Sequence, residues 1–153
     1  MGQELWHGLS ALPPAVFLQS NGTAYLLVNA AHIASLGLLI GTIVTLDLRL
    51  LGAFRQMPLA LLGPLLSRMA ACGLLLAMLT GAWLFLVNAV DYAANPVLRI
   101  KLGLIALAVL NALWLHRRAW TQERPSPAVR LHGALSLLLW PSVLVAGRWI
   151  GFV

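Results

Sequence analysis

Four long runs of apolar residues divide the chain, and short polar segments separate them. The runs lie at about 25–46, 69–90, 97–116 and 131–152. A helix needs about 20 residues to cross a hydrocarbon layer of ~30 Å, so each run is long enough to span a membrane. The pattern predicts an all-α fold, a four-transmembrane-helix up-down bundle in which residues 1–153 form a single integral membrane domain.

A shorter apolar segment precedes the first span, at about 3–19. Pro13 and Pro14 interrupt it, and neither half is long enough to cross a bilayer. Trp6 recurs with leucines at helical spacing, which is typical of a helix that lies in the membrane surface. We therefore expect an N-terminal interfacial amphipathic helix with Trp6 as its anchor.

The composition excludes a water-soluble globular domain. Apolar residues make up 61% of the chain and charged residues 9%, whereas soluble domains carry about 25% charged residues. The net charge of +6 does not indicate a nucleic-acid partner, because the basic residues lie in the gaps between the apolar runs. We expect contact with the lipid bilayer, with other membrane-protein subunits or further copies of the chain, and no nucleic acid.

The basic residues also predict how the chain crosses the membrane. Seven of the ten lysines and arginines flank the first and third gaps. They are Arg49, Arg55, Arg68, Arg117, Arg118, Arg124 and Arg130. Because lysine and arginine concentrate in cytoplasmic loops, both gaps are predicted to be cytoplasmic and the N- and C-termini periplasmic.

Polar side chains recur on one face of the first span. They are Asn29, His32, Ser35 and Thr42. Their near-helical spacing predicts that this face points into the bundle, since lipid offers polar groups no partners. In an up-down bundle, Met78, Lys101 and Arg148 share the outer half of the membrane with His32.

An imidazole with cations at the same depth favours a b-type haem. One hypothesis places the haem iron on His32, with Lys101 and Arg148 beside the propionates. Met78, or no residue, then provides the sixth ligand. This arrangement would make the protein a carrier of electrons.

The histidines allow three other interpretations. A second haem hypothesis pairs His116 with His132, where the third span ends and the fourth begins. Alternatively, His32 is a buried neutral imidazole that forms a hydrogen bond across helices. Copper bound by His32, Met78 and Cys72 is a further hypothesis, because imidazole and sulfur are copper ligands.

Two more features of the first span have structural interpretations. Asp47, near its inner end, is predicted to cap the helix or to pair with Arg68. Gly37 and Gly41 form a small-xxx-small pair, which favours a close helix contact within the chain or between copies.

Several motifs together carry a resemblance to a known family. They are His32-Ile33-Ala34-Ser35-Leu36-Gly37, Asp47-Leu48-Arg49-Leu50-Leu51-Gly52, Asn95-Pro96 with Lys101, and Gly147-Arg148-Trp149-Ile150. The chain resembles, over nearly its whole length from the first span on, small and functionally uncharacterised bacterial four-span inner-membrane proteins. The resemblance implies a bacterial inner (cytoplasmic) membrane location. It also implies importance for His32, Asp47, Lys101, His116 and Arg148.

Two functions follow as hypotheses. The first is an electron-transfer subunit that holds a b-haem and passes electrons between a quinone and a periplasmic partner. The second is a non-catalytic accessory or scaffold subunit of a larger membrane complex. The predicted loops are too short to enclose a polar substrate, so the sequence favours either of these over an independent enzyme.

Overall fold

Seven α-helices and one 3-10 turn make up the computed structural model, which describes residues 2–118 and 124–152. The helices are α1 (Gly2–Ser10), α2 (Pro13–Ser20), α3 (Gly22–Leu51), α4 (Leu59–Val87), α5 (Ala89–Ala94), α6 (Pro96–Arg118) and α7 (Pro127–Trp149), and the turn is Ile150–Phe152. Neither described range contains a strand. Met1 and Val153, the ends of the predicted single domain, lie outside the described residues.

Four of these helices are long and apolar enough to cross a membrane: α3, α4, α6 and α7 with the turn that follows it. They confirm the predicted all-α four-helix bundle, and the chain is a multi-pass membrane protein. The helix α3 runs beyond its predicted end to Leu51. It stops at Gly52, whose φ of +112° suits glycine and whose N–H donates to the Arg49 carbonyl.

The helix α4 begins at Leu59, ten residues before the predicted start of the second span. Its first turns contain Pro64 and Arg68, which do not end the helix. Charged side chains are tolerated at this level, since long side chains reach the membrane surface from the end of a span. Arg49 stabilises the preceding loop, because its Nε donates to the Met57 carbonyl at 2.9 Å.

The four long helices pack in the order α4, α3, α7, α6. The helix α3 contacts both α4 and α7, and α6 contacts α7. In the described chain, α4 and α6 make little direct contact with each other. The bundle therefore has three closed sides and a gap between α4 and α6.

The N-terminal segment folds as two helices over one end of this bundle, next to α5. Trp83 donates from Nε1 to the Pro14 carbonyl at 2.8 Å, and the Gln19 amide donates to the Val87 carbonyl at 3.0 Å. The Trp6 ring packs edge-on against another aromatic ring of α4. The predicted single helix at 3–19 is thus divided at its two prolines, and it contacts the bundle as well as any membrane surface.

The two ends of the bundle can now be named. The α5 end holds α1, α2, α5 and the turn Ile150–Phe152, and the loop end holds the loop 52–58. Both described ends of the chain lie at the α5 end.

Candidate functional site

His32 lies on α3 and packs against α4. Its Nδ1 lies 2.9 Å from the Thr80 hydroxyl oxygen, and the Ala77 backbone is also within hydrogen-bonding range. The ring stands over Gly81, where a Cβ would lie 3.0 Å from His32 Cε1. His32 therefore forms the kind of cross-helix hydrogen bond that one of the sequence hypotheses predicts.

Lys101 lies on α6, and its side chain reaches α7. Its side chain is half-buried and crosses the backbone of Gly147, where a Cβ would lie 3.2 Å from the lysine Nζ. It interacts electrostatically with the His32 ring. This interaction supports the predicted proximity of one imidazole and one cation, which stays a prediction.

The other two residues predicted around a haem on His32 have exposed side chains. Arg148 is exposed, and its guanidinium carbon lies 4.8 Å from the centre of the Phe152 ring. Met78 is 59% exposed on the outward surface of α4. Of the three predicted neighbours, Lys101 is half-buried and interacts with the imidazole, whereas the other two side chains are exposed. A haem on His32 stays a prediction.

The two histidines of the second haem hypothesis lie against different surfaces of α6. His132 stacks on Trp114, with ring centroids 3.8 Å apart, and its Nδ1 lies 2.5 Å from the Asn111 Oδ1. His116 instead lines a cavity together with Ala112. His132 therefore belongs to the α6–α7 contact, whereas His116 borders the cavity, and the His116–His132 haem pair stays a prediction.

The polar face predicted on α3 is inward over most of its length. Ser35 and Thr42 are buried, and each donates a hydrogen bond to a carbonyl of its own helix. Asn29 was predicted to share this interior face, and this prediction is wrong because its side chain is exposed. The difference arises near the α5 end, where α3 extends beyond the closely packed part of the bundle.

Asp47 has a different role from the two predicted for it. It does not cap α3, because the helix continues to Leu51 and Gly52 ends it. The Asp47 side chain is 2% exposed, and its hydrogen-bond partner is the Ser136 hydroxyl on α7. Its second oxygen, Oδ2, makes no hydrogen bond to Arg68 or to any other described residue.

A cavity of about 340 Å³ lies beside Asp47 in the half of the bundle nearest the loop end. All four long helices line it. The polar lining residues are Asp47, Ser67, Arg68, His116, Ser136 and Trp140. The rest of the lining is apolar, and because α4 and α6 both contribute to it without closing on each other, the cavity opens sideways between these two helices.

Trp140 supplies a second buried polar atom without a partner. Its side chain is 2% exposed, and its Nε1 donates no hydrogen bond to any residue that the structure describes. Trp140 follows Ser136 by four positions, so both residues project from the same face of α7. The cavity is therefore bordered by an acceptor at Asp47 and a donor at Trp140.

This pair is the clearest candidate for a functional site. A buried polar atom without a hydrogen bond costs about 1–3 kcal/mol, so native proteins usually provide a partner for it. Asp47 Oδ2 and Trp140 Nε1 are shielded from water, but both residues line the cavity, so a ligand there contacts both side chains and needs them to rotate in order to reach the two atoms. The site can hold a small molecule that has both polar and apolar parts.

The sequence interpretation missed this site for an identifiable reason. It compared depths around His32 in the outer half and paired only His116 with His132 in the inner half, where it gave Asp47 a role at the helix end. Asp47 and Ser136 share the inner half in an up-down bundle, and Trp140 follows Ser136 at helical spacing. The sequence indicates that these three residues lie at a similar depth in the membrane. It does not indicate that the first and fourth spans are neighbours.

The described side chains provide no cluster suited to a bare metal ion. No group of three or more His, Cys, Asp or Glu residues in 2–118 and 124–152 lies close enough to bind one. Cys72 is exposed, whereas His32 is partly buried. The copper hypothesis, whose ligands include Met78, stays a prediction.

Comparison with known proteins adds no assignment. The chain matches no protein-family model, no curated protein and no solved structure. The resemblance to bacterial four-span inner-membrane proteins accordingly stays a prediction.

Proposed function

We propose that this protein is a multi-pass protein of the bacterial inner membrane that binds a small lipid-soluble molecule in the cavity beside Asp47. The observation that carries the proposal is the pair of buried atoms without partners, Asp47 Oδ2 and Trp140 Nε1, at one cavity that opens between α4 and α6. In the proposed orientation the loop end is cytoplasmic and the α5 end, with both termini, is periplasmic.

The location of the cavity supports a ligand that comes from the membrane. The gap between α4 and α6 lies along the length of two spanning helices, so it faces lipid for most of its height. Ligand cavities are commonly about 300–1,000 Å³, mostly apolar, with a few polar groups that fix orientation. A volume of about 340 Å³ with mainly apolar lining meets this description for one headgroup or ring.

Binding without catalysis is the simplest role for such a site. The loop 52–58 is short, and the polar side chains of the cavity are few. A carrier, sensor or accessory subunit needs only a cavity that a membrane-soluble molecule can enter and leave. This proposal shares with the accessory-subunit hypothesis only a role without catalysis.

Native mass spectrometry of the protein released from mild detergent tests the proposal. Ala112 lines the cavity on α6, whereas Ala106 is exposed on the same helix and does not line it. We expect wild-type protein to retain a copurifying molecule, Ala112→Phe to lose it because the added ring fills the cavity, and Ala106→Phe to retain it. Equal retention by Ala112→Phe, or no adduct on any variant, contradicts the proposal.

A specific observation also favours association with another membrane protein. Gly37 and Gly41 face no atoms of their own chain within 4 Å, so this small-residue pair lies on the outward surface of α3. Close contacts between spanning helices often use such pairs. Copurification of a stoichiometric partner from native membranes, lost in Gly41→Leu, is the expected result; a solitary monomer in native membranes contradicts it.

A further inference from the structure

We infer that the molecule bound beside Asp47 is a neutral lipid with a hydroxylated headgroup, an inference that rests on the proposed binding function. The two atoms that need partners have opposite hydrogen-bonding character. Trp140 Nε1 can only donate, whereas the Asp47 carboxyl offers an unpartnered oxygen. A ligand that satisfies both must contain a hydrogen-bond acceptor and a group that pairs with a carboxyl.

Charged ligands satisfy only one of these atoms. A cation pairs with the Asp47 carboxylate but provides no acceptor for the Trp140 N–H. An anion accepts from Trp140 and is attracted by Arg68 in the lining, but it is repelled by an ionised Asp47 carboxylate and leaves Oδ2 without a partner. A neutral molecule avoids both problems.

A hydroxyl group suits the ionised Asp47 carboxylate, because it donates a hydrogen bond to it and keeps lone pairs that can accept. The residue that hydrogen bonds Asp47, Ser136, precedes Trp140 by four positions on α7. Trp140 projects from the same face of α7 as Ser136, so a second ligand oxygen, a hydroxyl or a carbonyl, is needed for the Trp140 N–H.

The lining of the cavity sets the orientation of the ligand. Asp47, Arg68 and His116 lie towards the loop end, whereas Leu39, Leu74 and Val109 continue the cavity towards the middle of the bundle. A headgroup near Asp47 therefore leaves its hydrocarbon part directed to the membrane interior and the gap between α4 and α6. This is the orientation of a lipid in the leaflet at the loop end.

Two kinds of membrane lipid provide this chemistry. A diacylglycerol carries one hydroxyl and nearby ester carbonyls, and a quinol carries two ring oxygens on opposite sides of one ring. Both are neutral, and both place a second oxygen several ångströms from the first. The shared chemistry is a neutral headgroup with a hydroxyl and a second oxygen.

The affinity of five lipid probes of matched structure for the full-length protein in detergent tests the inference. The probes are dioctanoylglycerol, its 3-acetyl derivative, dioctanoyl phosphatidic acid, decylubiquinol and the dimethyl ether of decylubiquinol. We expect tight binding by dioctanoylglycerol or decylubiquinol, according to the natural source. The blocked derivative of the same probe should bind about 5-fold or more weakly, since it loses one hydrogen bond.

Variants connect the binding to the two named atoms. Trp140→Phe keeps a ring in the cavity but removes the donor, and we expect it to weaken binding of the preferred probe about 5-fold. Trp149→Phe, an exposed tryptophan on the same helix, is the matched control and should bind as wild type. If Trp140→Phe unfolds, the comparison of free and blocked probes on wild-type protein still decides the question.

The outcomes separate the inference from the proposed function. Equal or tighter binding of dioctanoyl phosphatidic acid, or equal binding of the blocked probes, overturns the neutral hydroxylated headgroup while a lipid-binding role stands. Loss of all probe binding together with no copurifying adduct removes the proposed function itself.

Discussion

Gly73 of α4 lies directly against the backbone of Leu39 on α3. A Cβ at Gly73 would lie 2.8 Å from the Leu39 nitrogen and 3.1 Å from the Ser35 carbonyl oxygen. Both neighbours are backbone atoms, which cannot move aside as a flexible side chain can. This glycine therefore sets the distance between the two helices whose contact is the most extensive in the bundle.

Gly73→Ala should destabilise the bundle even though alanine favours helix formation more than glycine does. The added methyl group must separate α3 from α4, and overpacking of this kind costs about 1–3 kcal/mol. The free energy of unfolding in mixed detergent micelles measures the effect.

Gly41→Ala is the matched control for this prediction, because Gly41 has open space around its Cα. It should leave the unfolding free energy unchanged or slightly higher, since helix propensity then acts alone. Similar losses in both variants would show that Gly73 does not set the helix separation.

The contrast between Gly73 and Gly41 illustrates what could be predicted from the sequence. The small-xxx-small pair at Gly37 and Gly41 is easy to recognise, and the sequence left open whether it packs within the chain. In the structure that pair faces outward and the isolated Gly73 makes the close approach. The spacing of small residues identifies a helix face that is suited to close packing. Which face packs against another helix of the chain depends on the order of all four helices.

The same limit applies to the candidate site. Four spans follow from composition because about 20 apolar residues are needed to cross a bilayer, and the structure confirms them. The cavity beside Asp47 forms because α3 and α7 are neighbours while α4 and α6 stay apart. This arrangement cannot be predicted from the sequence of any one helix. His32 was easier to identify, because an isolated polar residue in a span requires a partner wherever its helix packs.

The bond between His32 and Thr80 should contribute measurably to stability. Thr80→Val removes the hydroxyl 2.9 Å from the imidazole and keeps the shape of the side chain. We expect a loss of about 1 kcal/mol in the unfolding free energy, a typical value for a polar contact between spanning helices.

Thr45→Val provides the control for the Thr80 experiment. The Thr45 hydroxyl donates only to the Gly41 carbonyl of its own helix, so its removal breaks no contact between helices. Equal effects of the two substitutions would mean that the imidazole gains nothing from Thr80.

The haem hypothesis from the sequence has an optical test. A b-haem on His32 requires a Soret band in protein purified from cells with adequate haem supply, and the band should shift and sharpen on reduction with dithionite. His32→Ala should then abolish it, while His132→Ala should leave it intact because His132 is engaged with Asn111 and Trp114. An absent Soret band removes the electron-transfer hypothesis.

The proposed orientation predicts which end of the bundle is reached by a membrane-impermeant maleimide. In a Cys72→Ser background, a new cysteine at Ala94 reports on the α5 end and one at Gln56 reports on the loop end, and both positions are exposed. Neither substitution changes a charged residue, so the charges that set topology stay in place. We expect labelling of the Ala94→Cys protein in intact spheroplasts, and labelling of the Gln56→Cys protein only after the membrane is permeabilised.

The reverse pattern would invert the bundle and place the Asp47 cavity in the periplasmic leaflet, whereas labelling of both positions in intact spheroplasts would mean that the loop end does not lie across the membrane from α5.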